Sequence, residues 1–246
     1  MEHNPNDIDR ICQATDDRLW NAYNRSFGEQ ADSLYDSRLI FPVYSGRRDG
    51  ALRISEQEAR FAFTESIATT SYFYSVETPT RQGYQLTGSK PMSAQTDITL
   101  YDGKRRRILN VEFKAKGLST SARSSFTIEK DIQKLLREPV PGMWFHILEA
   151  VDNSTILKLF DVIAKALFDI TNNFQSDIQE TRIIFHCCVL RQHFSLHKPI
   201  EIVPERNILE NLKRQFRFSY TVNRSTITDI RDANDWFTYG LDKPAV

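Results

Sequence analysis

Residues 95–116 read QTDITLYDGKRRRILNVEFKAK. Apolar and polar side chains alternate in the first seven and the last eight positions, and this period of two predicts β-strands over 95–101 and 109–116. The connection contains Asp102-Gly103, a turn signal, so we expect the strands to be antiparallel neighbours. In the second strand, Glu112 and Lys114 point to one face while Val111 and Phe113 point to the other.

This hairpin brings two carboxylates together. With a six-residue connection, Tyr101 lies opposite Ile108 and Asp97 therefore lies opposite Glu112. Cross-strand neighbours are about 5 Å apart, and two like charges at that distance repel unless a cation lies between them. Mg²⁺ would relieve the repulsion, because it takes oxygen ligands in an octahedron: two carboxylates, a backbone carbonyl such as that of Phe113, waters and a substrate phosphate.

The rest of the chain has patterns typical of a mixed α/β protein. We predict helices over 7–27, 59–67, 125–138 and 155–171, strands near 38–44, 72–76, 84–87, 143–150 and 182–190, and beyond Pro204 a short helix, a strand over 216–222 and a last helix near 229–239. Residues 1–246 are expected to form a single domain, with a helix and an edge strand in 1–49 and an α+β elaboration in 200–246.

Asp97, followed by Glu112-Phe113-Lys114 on the next strand, resembles the PD-(D/E)xK nuclease superfamily over about residues 50–150. The resemblance implies a restriction-endonuclease-like αβββαβ core, with a central mixed sheet flanked by helices. It also implies that Asp97 and Glu112 bind the metal, that Lys114 positions or helps to deprotonate the attacking water, and that Glu58 on the first helix supports the site.

Simpler interpretations of these residues stay open. Glu112 and Lys114 could form a surface ion pair on a solvated strand face. Ser55-Glu56-Gln57-Glu58 has the form of a helix capping box, which accounts for Glu58 without catalysis and leaves Glu65 as its substitute.

Basic residues surround the proposed metal site. We expect the following residues to contact nucleic acid: Lys104, Arg105, Arg106, Arg107, Lys116, Arg123, Lys130 and Gln133, with Lys134 extending the basic character. The alternative is a solvated hairpin tip, which is the usual meaning of a charge run.

Overall charge and cysteine content narrow the class of protein. Thirty-two basic and thirty-two acidic residues leave no net charge, so any anion site must be local. Three cysteines favour a reducing, cytoplasmic setting without disulfides. His186, Cys187, Cys188, His193 and His197 are poorly spaced for zinc, because adjacent strand residues point to opposite faces, and we expect core positions instead.

Together these features predict a nuclease that uses Mg²⁺, with Mn²⁺ as a substitute, to cut DNA, most simply double-stranded DNA. A homodimer or larger assembly, an activating protein partner, a role in prokaryotic anti-phage defence or restriction, and no membrane association are the accompanying expectations. The alternative is a nucleic-acid-binding or assembly module that keeps the fold without turnover.

Overall fold

The computed structural model describes residues 5–27, 38–44, 51–81, 94–115, 122–151, 159, 162–170, 179–191 and 193–202. The elements in chain order are α1 (Pro5–Ser26), α2 (Glu56–Ile67), β1 (Phe73–Pro79), β2 (Gln95–Tyr101), β3 (Arg107–Ala115), α3 (Ala122–Leu136), β4 (Gly142–Leu148), β5 (Thr181–Val189) and β6 (Phe194–Ile202). Residues 162–170 are also helical. No helix in these ranges is long and apolar enough to cross a membrane.

The six strands form a mixed sheet in which each strand lies beside its neighbours in sequence. β1, β2 and β3 are antiparallel, β3, β4 and β5 are parallel, and β6 returns antiparallel to β5. The crossover from β3 to the parallel β4 is made by α3, as a parallel pair requires. The predicted α/β class and the αβββαβ order, from α2 to β4, are confirmed.

Two apolar layers cover the sheet, one on each face. Val111 and Phe113 of β3 pack with α1 and α2, whereas Trp144 of β4 packs with α3 and the 162–170 helix. Because strand side chains alternate, Glu112, the parallel partner of Trp144, points toward the α3 face. The polar residues of β3 are therefore placed beneath a helix.

Some elements differ from the sequence prediction. β6 was not predicted, because Pro199 interrupts its pattern; it has one described neighbour, β5, and an edge strand tolerates proline. Over residues 38–44 the structure has one isolated bridge, between Val43 and Leu52, in place of a full strand. The strand predicted at 84–87 and the elements predicted beyond Pro204 lie outside the described residues, and the single-domain organisation stays a prediction.

Candidate active site

The hairpin register places Asp97 and Glu112 as predicted. Ile98 pairs with Val111, so the next step along both strands sets Asp97 opposite Glu112. Tyr101 pairs with Arg107 and not with Ile108, because an irregularity after Leu100 takes up the extra residue near the tip. The bulge leaves the site end of the hairpin unchanged.

Asp97 is fixed between β3 and α2. Its Oδ2 atom accepts a hydrogen bond of 2.8 Å from the backbone N–H of Phe113. Its Oδ1 atom is paired with the guanidinium of Arg60. Residues of a strand direct their N–H and C=O to the same edge, so the Phe113 carbonyl faces the Asp97 side as well.

Glu112 is buried, with 1% of its surface exposed. Its Oε2 atom accepts a hydrogen bond of 2.6 Å from Nζ of Lys134, while its Oε1 atom has no hydrogen-bond partner among the described residues. Burial raises the pKa of Glu112 to about 8; the Lys134 ammonium opposes this rise, whereas the Asp131 and Asp97 carboxylates add to it. The alternative of a solvated surface ion pair is wrong, because the carboxyl group lies under α3.

Lys114 is held by carboxylates from both neighbouring helices. Its Nζ atom lies 2.5 Å from Oδ2 of Asp131 on α3 and 3.5 Å from Oε1 of Glu56 on α2. Burial alone would lower the pKa of Lys114, but Asp131 and Glu56 outweigh it and raise the pKa. Lys114 is therefore a positioned ammonium ion.

Lys134 of α3 links Glu112 to Asp131. Its Nζ atom contacts Oδ1 of Asp131 at 3.0 Å and donates to the carbonyl of Gln95 at 3.1 Å, in addition to the bond with Glu112. Although its side chain is only 7% exposed, Glu112 and Asp131 raise its pKa against the effect of burial. It is thus a buried cation, whereas the sequence indicated that Lys134 extends the basic character around the site.

We call the following residues the β2–β3 cluster: Asp97, Glu112, Lys114, Glu56, Arg60, Asp131 and Lys134. Sequence reasoning identified the three strand residues but missed the roles of the helical ones. The available signal was spacing, since Glu56 and Arg60, one turn apart, share a face of α2, and Asp131 and Lys134 share a face of α3.

Glu58 is not brought into this cluster, which corrects the sequence expectation. Its carboxylate accepts from the Ser55 N–H at 3.0 Å and from the Ser55 hydroxyl, and lies 3.7 Å from Arg53. The capping box therefore holds Glu58 at the start of α2. Its proposed substitute, Glu65, pairs with Arg18 at 3.6 Å. Glu56 is the α2 carboxylate that reaches Lys114.

The hairpin tip is organised by Asp102. This carboxylate accepts from the N–H groups of Arg106 and Lys104 at 2.8 and 2.9 Å and from Nε of Arg106 at 2.7 Å. These bonds, led by the Arg106 N–H, lower the pKa of Asp102. Lys104, Arg105 and Arg106 are exposed, with Arg105 at a left-handed φ of 60°. We call these three exposed residues at the end of the β2–β3 hairpin the basic tip.

The other expected nucleic-acid contacts have varied placements. Arg107 is bound to Glu138 at 3.4 Å and to the Pro79 carbonyl at 3.1 Å. Gln133 is 2% exposed, which removes it from the surface where a substrate would lie. Lys130 is partly buried on α3. Lys116 and the side chain of Arg123 lie outside the described residues.

The donor set suits a hard divalent cation. Glu112 Oε1 is a buried carboxyl oxygen that no described residue hydrogen-bonds, Asp97 lies across from it, and the Phe113 carbonyl faces the same edge. All three are oxygen ligands, which Mg²⁺ and Mn²⁺ prefer. Asp131 adds a third carboxylate nearby. The residues therefore fit the ion that the sequence predicts. Its binding requires the Arg60 guanidinium to move away from Oδ1 of Asp97.

Comparison with known proteins gives weak likenesses only. No family model matches the chain, and no curated protein matches it. Among solved structures, SfsA of Pyrococcus furiosus in complex with Ca²⁺ is 16% identical with a TM-score of 0.28, over 66% of this chain and 68% of that one. The central domain of yeast acetyl-CoA carboxylase is 9% identical with a TM-score of 0.31, over 94% of this chain and 36% of that one. At such scores the likenesses carry no argument about the site.

Proposed function

We propose that the protein is a Mg²⁺-dependent nuclease that hydrolyses phosphodiester bonds in DNA. The observation that carries the proposal is the convergence of Asp97 and Glu112 on adjacent strands, with one oxygen of Glu112 buried and without a hydrogen bond from the part of the chain that the structure describes. Two carboxylates that can bind a metal, with a lysine ammonium beside them, are the groups that metal-assisted hydrolysis needs.

Asp97, Glu112 and the Phe113 carbonyl would hold the ion, with Mn²⁺ as a substitute for Mg²⁺. When bound, the ion would neutralise charge on the phosphate and lower the pKa of a coordinated water. Because burial holds the proton on Glu112, binding of a cation would release that proton at neutral pH. Metal binding is therefore linked to the ionisation of a residue that the fold otherwise keeps protonated.

Lys114 would act on the water and on the developing charge. Its ammonium is held at 2.5 Å from Asp131 and is 16% exposed, so it combines a fixed position with access from solvent. A cation fixed before the reaction stabilises a negative transition state without reorganisation. Asp131 and Glu56 are positioning residues for Lys114 in this scheme.

The basic tip supplies a surface for the phosphodiester backbone. Lys104, Arg105 and Arg106 are exposed on a loop that Asp102 holds in shape. In a protein with no net charge, such a local concentration of cations favours a polyanion. The described residues form one such site, and cleavage of both strands of a duplex by one site requires two copies or two visits, so we propose a homodimer.

A specific observation favours a second candidate, a DNA-binding module without turnover. Each acidic residue of the strand pair already has a basic partner, Arg60 on Asp97 and Lys134 on Glu112. A cluster whose members satisfy one another in this way can have a purely structural role. A module of this kind would bind DNA through the basic tip and would not need Mg²⁺.

Nicking of supercoiled plasmid separates the two candidates. The protein should convert the plasmid in Mg²⁺ and not in EDTA, Glu112→Gln should remove this activity, and Glu65→Gln, a matched change of an exposed carboxylate on α2, should keep it. Retardation of DNA that is independent of Mg²⁺, with no nicking above that of Glu112→Gln, would instead support the binding module.

A further inference from the structure

A second cluster of polar side chains lies between α1 and the β5–β6 edge, away from the β2–β3 cluster. Cys12 and Asp16 are one helical turn apart on α1 and are 2% and 0% exposed. His186 and His197 are direct cross-strand partners on β5 and β6. One ligand atom from each of Cys12, His186 and His197 falls within 4.8 Å of the other two.

The hydrogen bonds of His186 fix its tautomer. Its Nε2 atom lies 2.9 and 3.0 Å from the two carboxylate oxygens of Asp16. A carboxylate only accepts, so Nε2 carries the hydrogen and Nδ1 of the neutral ring presents a lone pair. That Nδ1 atom lies 2.9 Å from Nδ1 of His197.

Neither neutral form of His197 suits this environment. With the hydrogen on Nε2, two Nδ1 lone pairs face each other at 2.9 Å. With the hydrogen on Nδ1, the Nε2 lone pair lies 3.2 Å from the Oδ1 atom of Asp9. A doubly protonated ring would be a charged group in a largely buried position, where its Nε2–H has no hydrogen-bond partner among the described residues. A metal ion on the two Nδ1 atoms removes the repulsion between the lone pairs and leaves a hydrogen on Nε2 of each ring, where His186 donates to Asp16 and His197 lies 3.2 Å from Asp9.

We propose that Cys12, His186 and His197 bind one zinc-class ion that fastens α1 to the β5–β6 edge. A thiolate and two imidazoles are the ligands that Zn²⁺ prefers, in contrast to the all-oxygen set of the β2–β3 cluster. Asp16 is the positioning residue, because a carboxylate on the far nitrogen of a histidine orients the ring and raises its basicity.

To bind one ion, the Nδ1 atoms of His186 and His197, now 2.9 Å apart, would have to separate, and Cys12 Sγ, within 4.8 Å of a ligand atom of each ring, would have to approach them. Zn–S and Zn–N bonds of about 2.3 and 2.1 Å place neighbouring ligand atoms roughly 3.3 to 3.6 Å apart in a tetrahedron. The Cys12 thiol donates a hydrogen bond of 3.8 Å to Sδ of Met143, which it would give up on binding an ion as the thiolate. Burial, with Asp16 and Asp9, raises the pKa of the Cys12 thiol, so binding would release the thiol proton to the solvent.

This site could not be predicted from the spacing of nearby residues in the sequence. Cys187 and Cys188, the residues that suggested zinc, do point to opposite faces and belong to different apolar layers. The thiol of the cluster comes instead from the N-terminal helix, far away in the chain. Cys187 is thus a matched control, a buried cysteine beside His186 in sequence but on the other face of the sheet.

Co²⁺ titration of the untagged, chelator-treated protein tests the proposal. We expect one equivalent to produce a thiolate-to-cobalt charge-transfer band and tetrahedral d–d absorption, and one equivalent of Zn²⁺ to abolish both. Cys12→Ser should lose the charge-transfer band, Cys187→Ser should keep it, and Asp16→Asn should weaken binding about 10- to 100-fold.

A second variant keeps the test decisive if Cys12→Ser fails to fold. His197→Gln alters the more accessible ligand, 17% exposed, and should weaken Co²⁺ binding at least tenfold. Zn²⁺ should also raise the melting temperature of the wild type more than that of His197→Gln. Absence of a thiolate band in the folded wild type, or equal Co²⁺ affinity in wild type and His197→Gln, would overturn the proposal. DNA cleavage enters none of these measurements.

Discussion

Glu112→Gln should make the metal-free protein more stable at neutral and alkaline pH. Burial raises the pKa of this carboxyl from 4.5 to about 8, so the folded state keeps a proton that the unfolded chain releases. The contribution of this proton to the free energy of unfolding is therefore fully present below about pH 4.5. It is lost as the pH rises toward 8, at about 1.4 kcal/mol per pH unit. Glutamine has no such proton and still offers an oxygen to Lys134. After a discount for the lost attraction to that ammonium, we expect a gain of about 2 to 4 kcal/mol at pH 8 and almost none at pH 5.

Urea unfolding in EDTA at pH 5, 6, 7 and 8 measures this difference. Glu65→Gln is the matched control, because its carboxylate is 47% exposed on α2, and its stability should follow that of the wild type. Added Mg²⁺ should then stabilise the wild type and leave Glu112→Gln unchanged. Parallel pH profiles for the wild type and Glu112→Gln would refute the reasoning, since they would show that Glu112 does not hold the proton.

Three further changes test other parts of the account. Gly142→Ala should lower the free energy of unfolding in urea by about 1 to 3 kcal/mol, because the added Cβ would lie 2.8 Å from Cβ of Leu135. Gly103→Ala is the control, since an added Cβ there has nothing within 4 Å, and it should cost far less. Equal effects would contradict the packing of α3 on β4. Replacing Lys104 and Arg105 together by Gln should weaken DNA binding and reduce the slope of log K against log salt by about 2. Lys165→Gln is the control and should leave the slope as it is. An unchanged slope for the double variant would show that the basic tip does not contact DNA. Sedimentation on duplex DNA should find a dimer, and a strict monomer that makes only nicks would exclude the proposed assembly.

The hairpin was predictable because its information is local. Strand alternation and a short connection fix which residues face each other, so Asp97 and Glu112 were paired correctly even though a bulge shifts Tyr101 onto Arg107. The αβββαβ order followed from the same periodicities. β6 was missed because Pro199 breaks the pattern, and only its place at the edge of the described sheet makes that proline acceptable.

The helical members of the site were not predictable in the same way. A helix presents every face in turn, and its docking angle decides whether Glu56 or Glu58 reaches Lys114. Here the capping box holds Glu58 at Ser55, and Glu56 is the residue that reaches Lys114. Lys134 was expected to extend the basic character around the site, but pairing with Glu112 and Asp131 allows it to be buried.

Lys114→Met tests most directly whether the β2–β3 cluster hydrolyses DNA with a metal. The change leaves Asp97 and Glu112 in place, so calorimetry should still detect Mg²⁺ binding. Plasmid nicking should fall about 100-fold or more, because the positioned ammonium is lost, while Lys165→Met, a matched change on the exposed face of the 162–170 helix, should cut at the wild-type rate. Lys114→Met protein that is free of contaminating nucleases and nicks DNA as fast as the wild type would contradict the account.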